Sequence, residues 1–347
     1  MNTPAPLSPQ IVALAIGLAG GVAAFFAGLP LPWMLGPMIA NTVAAMLRAP
    51  IAGPDRLRPF VMPVIGVMLG SAVTAEVFGL LGTWLLTLIL LPLFLAGAAG
   101  ISYAVYRRIG GYDPVTAFYS AMPGGLNEML LLGAEAGGDE RRIALAHAAR
   151  VLIIIVFVAL FFGLVLGVSS GGRGSVNWVG IYQITALDYV ILGICAVVGA
   201  ILGKKVGLPA ALVFGPMIIS GFAHIAGWVT VPPPTIFVIA AQVTIGTIIG
   251  TRFIGATLAE IRTDIGLSAI ASLLMLLAAV GFAELIVVIS GIPLAQAFLA
   301  FSPGGLTEMS LLTLAMEQDV TYVSVMHIIR ITLVIALAPF IFKLTRR

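Results

Sequence analysis

The sequence predicts an all-α polytopic membrane protein. It is expected to consist of two inverted repeats, each with five transmembrane helices plus one re-entrant segment broken at Pro-Gly-Gly, about ten spans in all. Three observations predict it. The 347 residues are 61% hydrophobic and only 9% charged, with a mean hydropathy of +1.16. Apolar stretches of membrane-spanning length recur along the whole chain. One ten-residue motif containing polar groups occurs twice, 180 residues apart.

Composition excludes most soluble classes. A soluble domain carries roughly 25% charged residues, and so few charges could not cover this much apolar surface. The net charge of +3 is too small to point to nucleic acid. Cys195 is the only cysteine, which excludes an intrachain disulfide and a cysteine metal cage. Met1 to Gln10 holds no Lys or Arg ahead of its apolar stretch. The first hydrophobic segment is therefore expected to stay as a span and not to act as a cleaved signal.

The expected spans of the first half are 9–29, 32–47, 59–79, 81–106 and 143–168. Those of the second half are 186–203, 209–228, 235–256, 265–289 and 322–342. Segments 114–135 and 294–316 are apolar but interrupted by Pro-Gly-Gly, and they decide the topology. If both cross fully, there are twelve spans and the halves are parallel. If both enter and leave on one side, each half has five spans, and an odd number inverts the second half.

The positive-inside rule separates the two arrangements. With ten spans and the N-terminus inside, 14 of the 17 basic residues are cytoplasmic, Arg173 is outside, and Arg150 and Arg330 lie within spans. Twelve spans would export Arg141, Arg142, Lys204, Lys205, Arg252 and Arg262. The expected organisation is thus membrane repeat 1 (residues 1–168), an extracytoplasmic linker (169–183) and membrane repeat 2 (184–347), intertwined as one membrane domain. Both termini are cytoplasmic. The linker is rich in Gly and Ser, and its Trp178 and Tyr182 suit the membrane interface.

The repeat is read from the chain itself. Pro123-Gly124-Gly125-Leu126-Asn127-Glu128-Met129-Leu130-Leu131-Leu132 matches Pro303-Gly304-Gly305-Leu306-Thr307-Glu308-Met309-Ser310-Leu311-Leu312 at eight of ten positions. The same offset pairs Asp139 with Asp319, His147 with His327, and Arg150 with Arg330. It also pairs the Gly66/Gly70 spacing with Gly246/Gly250. Gly36-Pro37-Met38 matches Gly215-Pro216-Met217 at an offset of 179.

With this duplication, its PGGLxEM core and the downstream His-x-x-Arg, the chain resembles the AbrB-type bacterial membrane proteins over nearly its whole length. Some members of that family carry an ammonia monooxygenase label and others a regulatory one. The resemblance implies the architecture of inverted-repeat secondary transporters in the bacterial cytoplasmic membrane. By analogy alone, a homodimer is the expected assembly.

Each site residue has a functional and a structural reading. Proline removes a backbone donor and glycine adds freedom, so Pro123-Gly124-Gly125 and Pro303-Gly304-Gly305 break their helices. The freed groups cannot face lipid. Transporters place such breaks at the midplane, with helix ends aimed at substrate or ion; the alternative is a kink or a packing turn. Glu128 and Glu308 are intramembrane carboxylates and so mark a functional site. They could bind a cation, carry a proton, or pair with a buried arginine. Asn127 and Thr307 stand beside them as possible ion or substrate ligands.

His147 with Arg150, and His327 with Arg330, are spaced i, i+3 and share a helix face. A buried Arg needs an acceptor, which could be an anionic substrate, Glu128 or Glu308, unless the Arg snorkels to the interface. The histidines could relay protons or be satisfied structurally. Gly66/Gly70, Gly246/Gly250 and the two Gly-Pro pairs read as packing elements. Glu284 has no partner in the repeat.

The expected function is alternating-access secondary transport of a small solute, an organic anion by reason of the arginines, coupled to a proton or Na⁺. The alternatives are a membrane-bound oxidoreductase and a membrane regulator or sensor. Three histidines, with no His-x-His or His-Glu-x-x-His spacing, do not supply the ligands that copper or iron would need. No catalytic residue, metal site or cofactor is therefore expected. The expected partners are the lipid bilayer and a small molecule or ion.

Overall fold

The computed structural model describes residues 7–29, 31–161, 178–255 and 261–345. Every regular element among them is helical. In chain order they are α1 (Leu7–Phe26), α2 (Pro32–Met46), α3 (Arg58–Ser71), α4 (Val77–Ala104), α5 (Pro114–Ala121), α6 (Leu126–Glu135), α7 (Glu140–Leu160), α8 (Ala186–Val206), α9 (Ala211–Ile225), α10 (Thr235–Gly250), α11 (Gly266–Ser290), α12 (Leu294–Phe301), α13 (Leu306–Ala315) and α14 (Val320–Thr345). Short 3₁₀ turns and a π segment at Val105–Ile109 link some of them. Residues 169–177 of the expected linker, with Arg173, lie outside the described residues, as do Arg346, Arg347 and the side chains of Asn127 and Arg262.

Among the described residues, six segments are long and apolar enough to cross a membrane: Leu7–Phe26, Gly82–Ile109, Ala186–Val206, Thr235–Phe253, Thr263–Ser290 and Val320–Leu344. Helices α2, α3 and α9, where spans 32–47, 59–79 and 209–228 were expected, have 15, 14 and 15 residues. The apolar run of 59–79 does not continue as one helix. It stops at Ser71, whose Oγ donates to the Met68 carbonyl at 2.7 Å, and α4 starts at Val77.

The helix starts follow local chemistry. Asp113 accepts from the amides of Val115 and Thr116 ahead of α5, with Pro114 in the first helical position. Asp139 does the same for Arg141 and Arg142 at the start of α7, and Asp319 for Thr321 at the start of α14. The repeated aspartates are helix caps. A Thr185–Asp188 capping box opens α8, and Gly207 ends it in the left-handed region.

The chain forms two compact units. One comprises Met1–Val77, Val158–Gly255 and Leu314–Thr321, and it contains α1 to α3 and α8 to α10. Its packing is reciprocal between the halves. Helix α1 packs on α2 as α8 packs on α9, while α3 packs on α9 as α10 packs on α2. The glycines set these approaches. A methyl on Gly66 would overlap the Val213 carbonyl and lie 3.0 Å from Pro216 Cβ; on Gly246 it would overlap the Met34 carbonyl and lie 3.1 Å from Pro37 Cβ. Gly70 and Gly250 make the matching approaches to Met217 and Met38. Small residues therefore bring backbones together on both sides of the exchange. A reciprocal exchange of this kind is the mark of a pseudo-twofold relation. Pro37 and Pro216 sit inside α2 and α9. Behind each, a polar group closes the contact: Asn41 donates to Thr247 Oγ1 at 3.4 Å, and Ser220 to the Val67 carbonyl at 2.9 Å.

The other unit comprises Phe78–Phe157, Ala256–Thr313 and Tyr322–Arg347. It holds both Pro-Gly-Gly breaks. Its core is aromatic, with Phe94 against Phe282 and Phe301, and Phe118 and Tyr119 against Phe342. Glu284, on α11, is remote from the duplicated motif in sequence and is not matched in the first half.

Candidate functional site at two broken helices

Both Pro-Gly-Gly segments interrupt a helix. The first separates α5 from α6 and the second separates α12 from α13. Proline disfavours the helical region for the residue before it. Met122 and Ser302 accordingly sit at φ −59°, ψ 128° and φ −56°, ψ 131°. Each break frees carbonyls at the end of the preceding helix, and in a buried setting every one needs a donor.

His147 and Arg150 supply those donors from α7. His147 Nε2 lies 2.9 Å from the Tyr119 carbonyl. Arg150 Nη1 donates to the Met122 carbonyl at 2.8 Å, and its Nη2 donates to the carbonyls of Ser120 and, at 3.3 Å, Ala121. The Phe118 carbonyl takes the Met122 amide at 3.2 Å. Five consecutive carbonyls, 118 to 122, are thereby satisfied.

The second copy repeats the device. His327 Nε2 lies 3.0 Å from the Leu299 carbonyl. Arg330 Nη1 donates to the Ser302 carbonyl at 2.6 Å, but its Nη2 reaches forward across Pro303 to the Gly304 carbonyl at 2.5 Å. Arg150 holds the end of its helix, whereas Arg330 spans its break. Both arginines are 2% exposed. The acceptors the structure gives both arginines are backbone carbonyls, which the sequence reading did not name. Tyr106, buried in the same unit, donates its phenol hydrogen to Ser268 Oγ at 3.1 Å.

The glutamates lie on the far side of each break, in the first turns of α6 and α13. There a carboxylate opposes the positive end of the helix. Both fold back over the preceding glycine. A methyl on Gly125 would overlap Glu128 Oε2, and one on Gly305 would overlap Glu308 Oε2. Gly125 has φ −67°, ψ 140°, which any residue can adopt, so what its missing side chain leaves is room for the carboxylate and not a special conformation. Gly124 and Gly304 abut Met129 and Met309 in the same way. The two copies differ in exposure: Glu308 is 8% exposed, whereas Glu128 is half-buried. Pro123 and Pro303 are buried, and Thr307 is 6% exposed beside Glu308.

Each break thus carries its own counter-charges, a cation at the negative helix end and an anion at the positive one. Around them stand buried polar atoms with no hydrogen-bond partner: the hydroxyls of Ser120 and Ser302, Nε of both arginines, and Nδ1 of His327. Ser120, Ser302 and Tyr106 were not singled out from the sequence. Ser302, adjoining Pro303, could have been; Tyr106 lies in an apolar run and carries no such signal.

Fold and site together define an internally duplicated, helical, membrane-type protein with a charged helix break in each half. The chain belongs to the AbrB family. The family described as "Transition state regulatory protein AbrB" matches residues 33–346. The chain is similar to "Uncharacterized protein YhjN" of Bacillus subtilis (strain 168), 26% identical over 95% of this chain and 91% of that protein. It is also similar to "Putative regulator AbrB" of Escherichia coli (strain K12), 23% identical over 90% of this chain and 89% of that protein.

Proposed function

We propose that this protein is a secondary active transporter, and not an enzyme, that moves a small organic anion by alternating access with proton or Na⁺ coupling. The observation that supports this most is the pair of matched helix breaks, each with a carboxylate at the N-terminal helix end and an arginine at the C-terminal one. In the reading we favour, the two halves are inverted, there are about ten spans in the bacterial inner membrane, and both termini are cytoplasmic. The distribution of basic residues and the reciprocal packing of α2, α3, α9 and α10 support that arrangement.

Charge accounting suggests how coupling works. With Glu128 and Glu308 ionised, each break is close to neutral, because the half-charges of the helix ends oppose the arginine and the glutamate. Protonating either carboxylate leaves a buried guanidinium charge uncompensated, and in a low dielectric that charge attracts an anion. Proton and anion would enter together. The arginine forks are occupied by carbonyls, so their contribution to the solute is charge and not a bidentate grip.

The test is transport in proteoliposomes, with pH- or Na⁺-dependent currents recorded across a panel of small organic acids. Glu128→Gln and Glu308→Gln should each abolish the coupled current while the protein still inserts and elutes as a single species. Full coupled current in both variants would remove the carboxylates from the mechanism. The name of the E. coli relative favours a second reading, a regulator, which a transported metabolite could serve indirectly.

A further inference from the structure

The unit containing the breaks also has an apolar cleft of about 320 Å³ between α4 and α14. Its walls are Leu95 and Ala99 from α4 with Leu333 and Leu337 from α14, and its floor is Met122-Pro123 of the first break. Tyr103 is the last residue of α4 that lines it. The two helices run side by side in the same direction. Trp84 rests on Tyr322, with ring centres 5.5 Å apart, and Thr87 Oγ1 reaches Met326 Sδ at 3.9 Å. They therefore finish at the same end. There, α4 passes into the π segment carrying Arg107 and Arg108, and α14 carries Lys343. All three cations are exposed. Arg107 is steadied by a 2.9 Å bond to the Tyr112 carbonyl.

We propose that this cleft holds one acyl chain of an anionic phospholipid, whose phosphate meets Arg107, Arg108 and Lys343. A cleft lined almost wholly by apolar side chains inside membrane-type helices suits hydrocarbon, and the cations where α4 and α14 finish suit a negative headgroup there. The bound chain would pack directly on Met122 and Pro123, so the lipid forms part of the wall of the broken segment. The inference does not depend on what, if anything, is transported.

Native mass spectrometry of the purified full-length protein in detergent tests it, with dioleoyl phosphatidylglycerol and dioleoyl phosphatidylcholine added in parallel. Phosphatidylglycerol should bind preferentially. Arg108→Ala and Lys343→Ala, both at exposed positions that leave the core intact, should each weaken it roughly fivefold, as about 1 kcal/mol per basic residue requires. Ala99→Phe, which fills the cleft, should remove the tightest site while leaving the elution profile unchanged. If Ala99→Phe does not fold, Gly100→Leu at the same wall replaces it. Equal binding of the two lipids, undiminished phosphatidylglycerol binding in the two cation variants, or binding that survives a filled cleft would each overturn the proposal.

Discussion

The guanidinium of Arg150 donates to the carbonyl of Met122 at 2.8 Å, the residue that Pro123 forces out of the helix. The proline creates the vacancy and the arginine, 28 residues after Met122, fills it. The same relation holds between Arg330 and Ser302. The arginines are therefore conditions for the breaks to exist in an apolar setting, whatever further role their charge has.

Arg150→Met should destabilise the protein by about 2–4 kcal/mol, because three buried carbonyls lose their donors together. Arg330→Met, which releases two, should cost less. Arg150→Lys keeps the charge but cannot fork across neighbouring carbonyls, so it should recover only part of the loss. Thermal unfolding in detergent ranks the three variants. Equal and unperturbed melting for all of them would mean that the backbone does not need these donors.

Gly125→Ala tests the space reserved for a carboxylate. The backbone there tolerates alanine, so folding should change little, but the methyl must push the Glu128 carboxylate from the helix end. Coupled transport should fall while insertion persists. Gly305→Ala should act more severely, since Glu308 is buried at 8% exposure and has less room to move. A Gly125→Ala protein with normal coupling would show that the carboxylate position is immaterial.

How much of this was legible in the sequence differs by feature. The breaks, their duplication and the need of Arg150 and Arg330 for acceptors follow from Pro-Gly-Gly and from burial of charge. The identity of the acceptors does not, because Tyr119, Met122 and Ser302 present their backbones, and a carbonyl leaves no trace in residue type. The repeated Asp139 and Asp319 were visible as a pair, but their role as helix caps became plain only with the helix starts. The span expected at 59–79 was read from an apolar run, whereas the helix there is ended by the turns between Ser71 and Val77; α2, at Pro32–Met46, falls where 32–47 was expected. The grouping of segments from both halves into each compact unit depends on which helices share glycine contacts, and spacing alone cannot rank those.

The reciprocal glycine contacts predict reciprocal costs. Gly66→Val and Gly246→Val each drive a side chain into a facing carbonyl and proline, and overpacking of this kind costs about 1–3 kcal/mol. The two losses should be similar. Thermal melts in which only one of the pair matters would contradict the pseudo-twofold packing.

Asp113 gives a prediction with pH. Burial pushes its carboxyl up, but the hydrogen bonds from Thr116 and from the amides of Val115 and Thr116 together outweigh burial and hold it below its ordinary 3.8. A depressed pKa contributes stability that is present above the ordinary value and lost as pH falls through the folded one. Asp113→Ala should therefore cost about 1 kcal/mol at neutral pH. The gap from the parent protein should narrow in melts at pH values below the ordinary 3.8. A gap that does not narrow on acidification would assign the effect to something other than the cap.

The central claim, two halves inserted in opposite senses so that their breaks form one transport site, is tested most directly by topology. In a Cys195→Ser background, Glu140→Cys and Glu317→Cys place single thiols at exposed positions beside the matched aspartates Asp139 and Asp319. Intact cells are then treated with a membrane-impermeant thiol reagent. The account predicts that the thiol at position 317 is labelled and that at position 140 is not. Labelling of both positions, or of neither, would place the two copies on one face and contradict it.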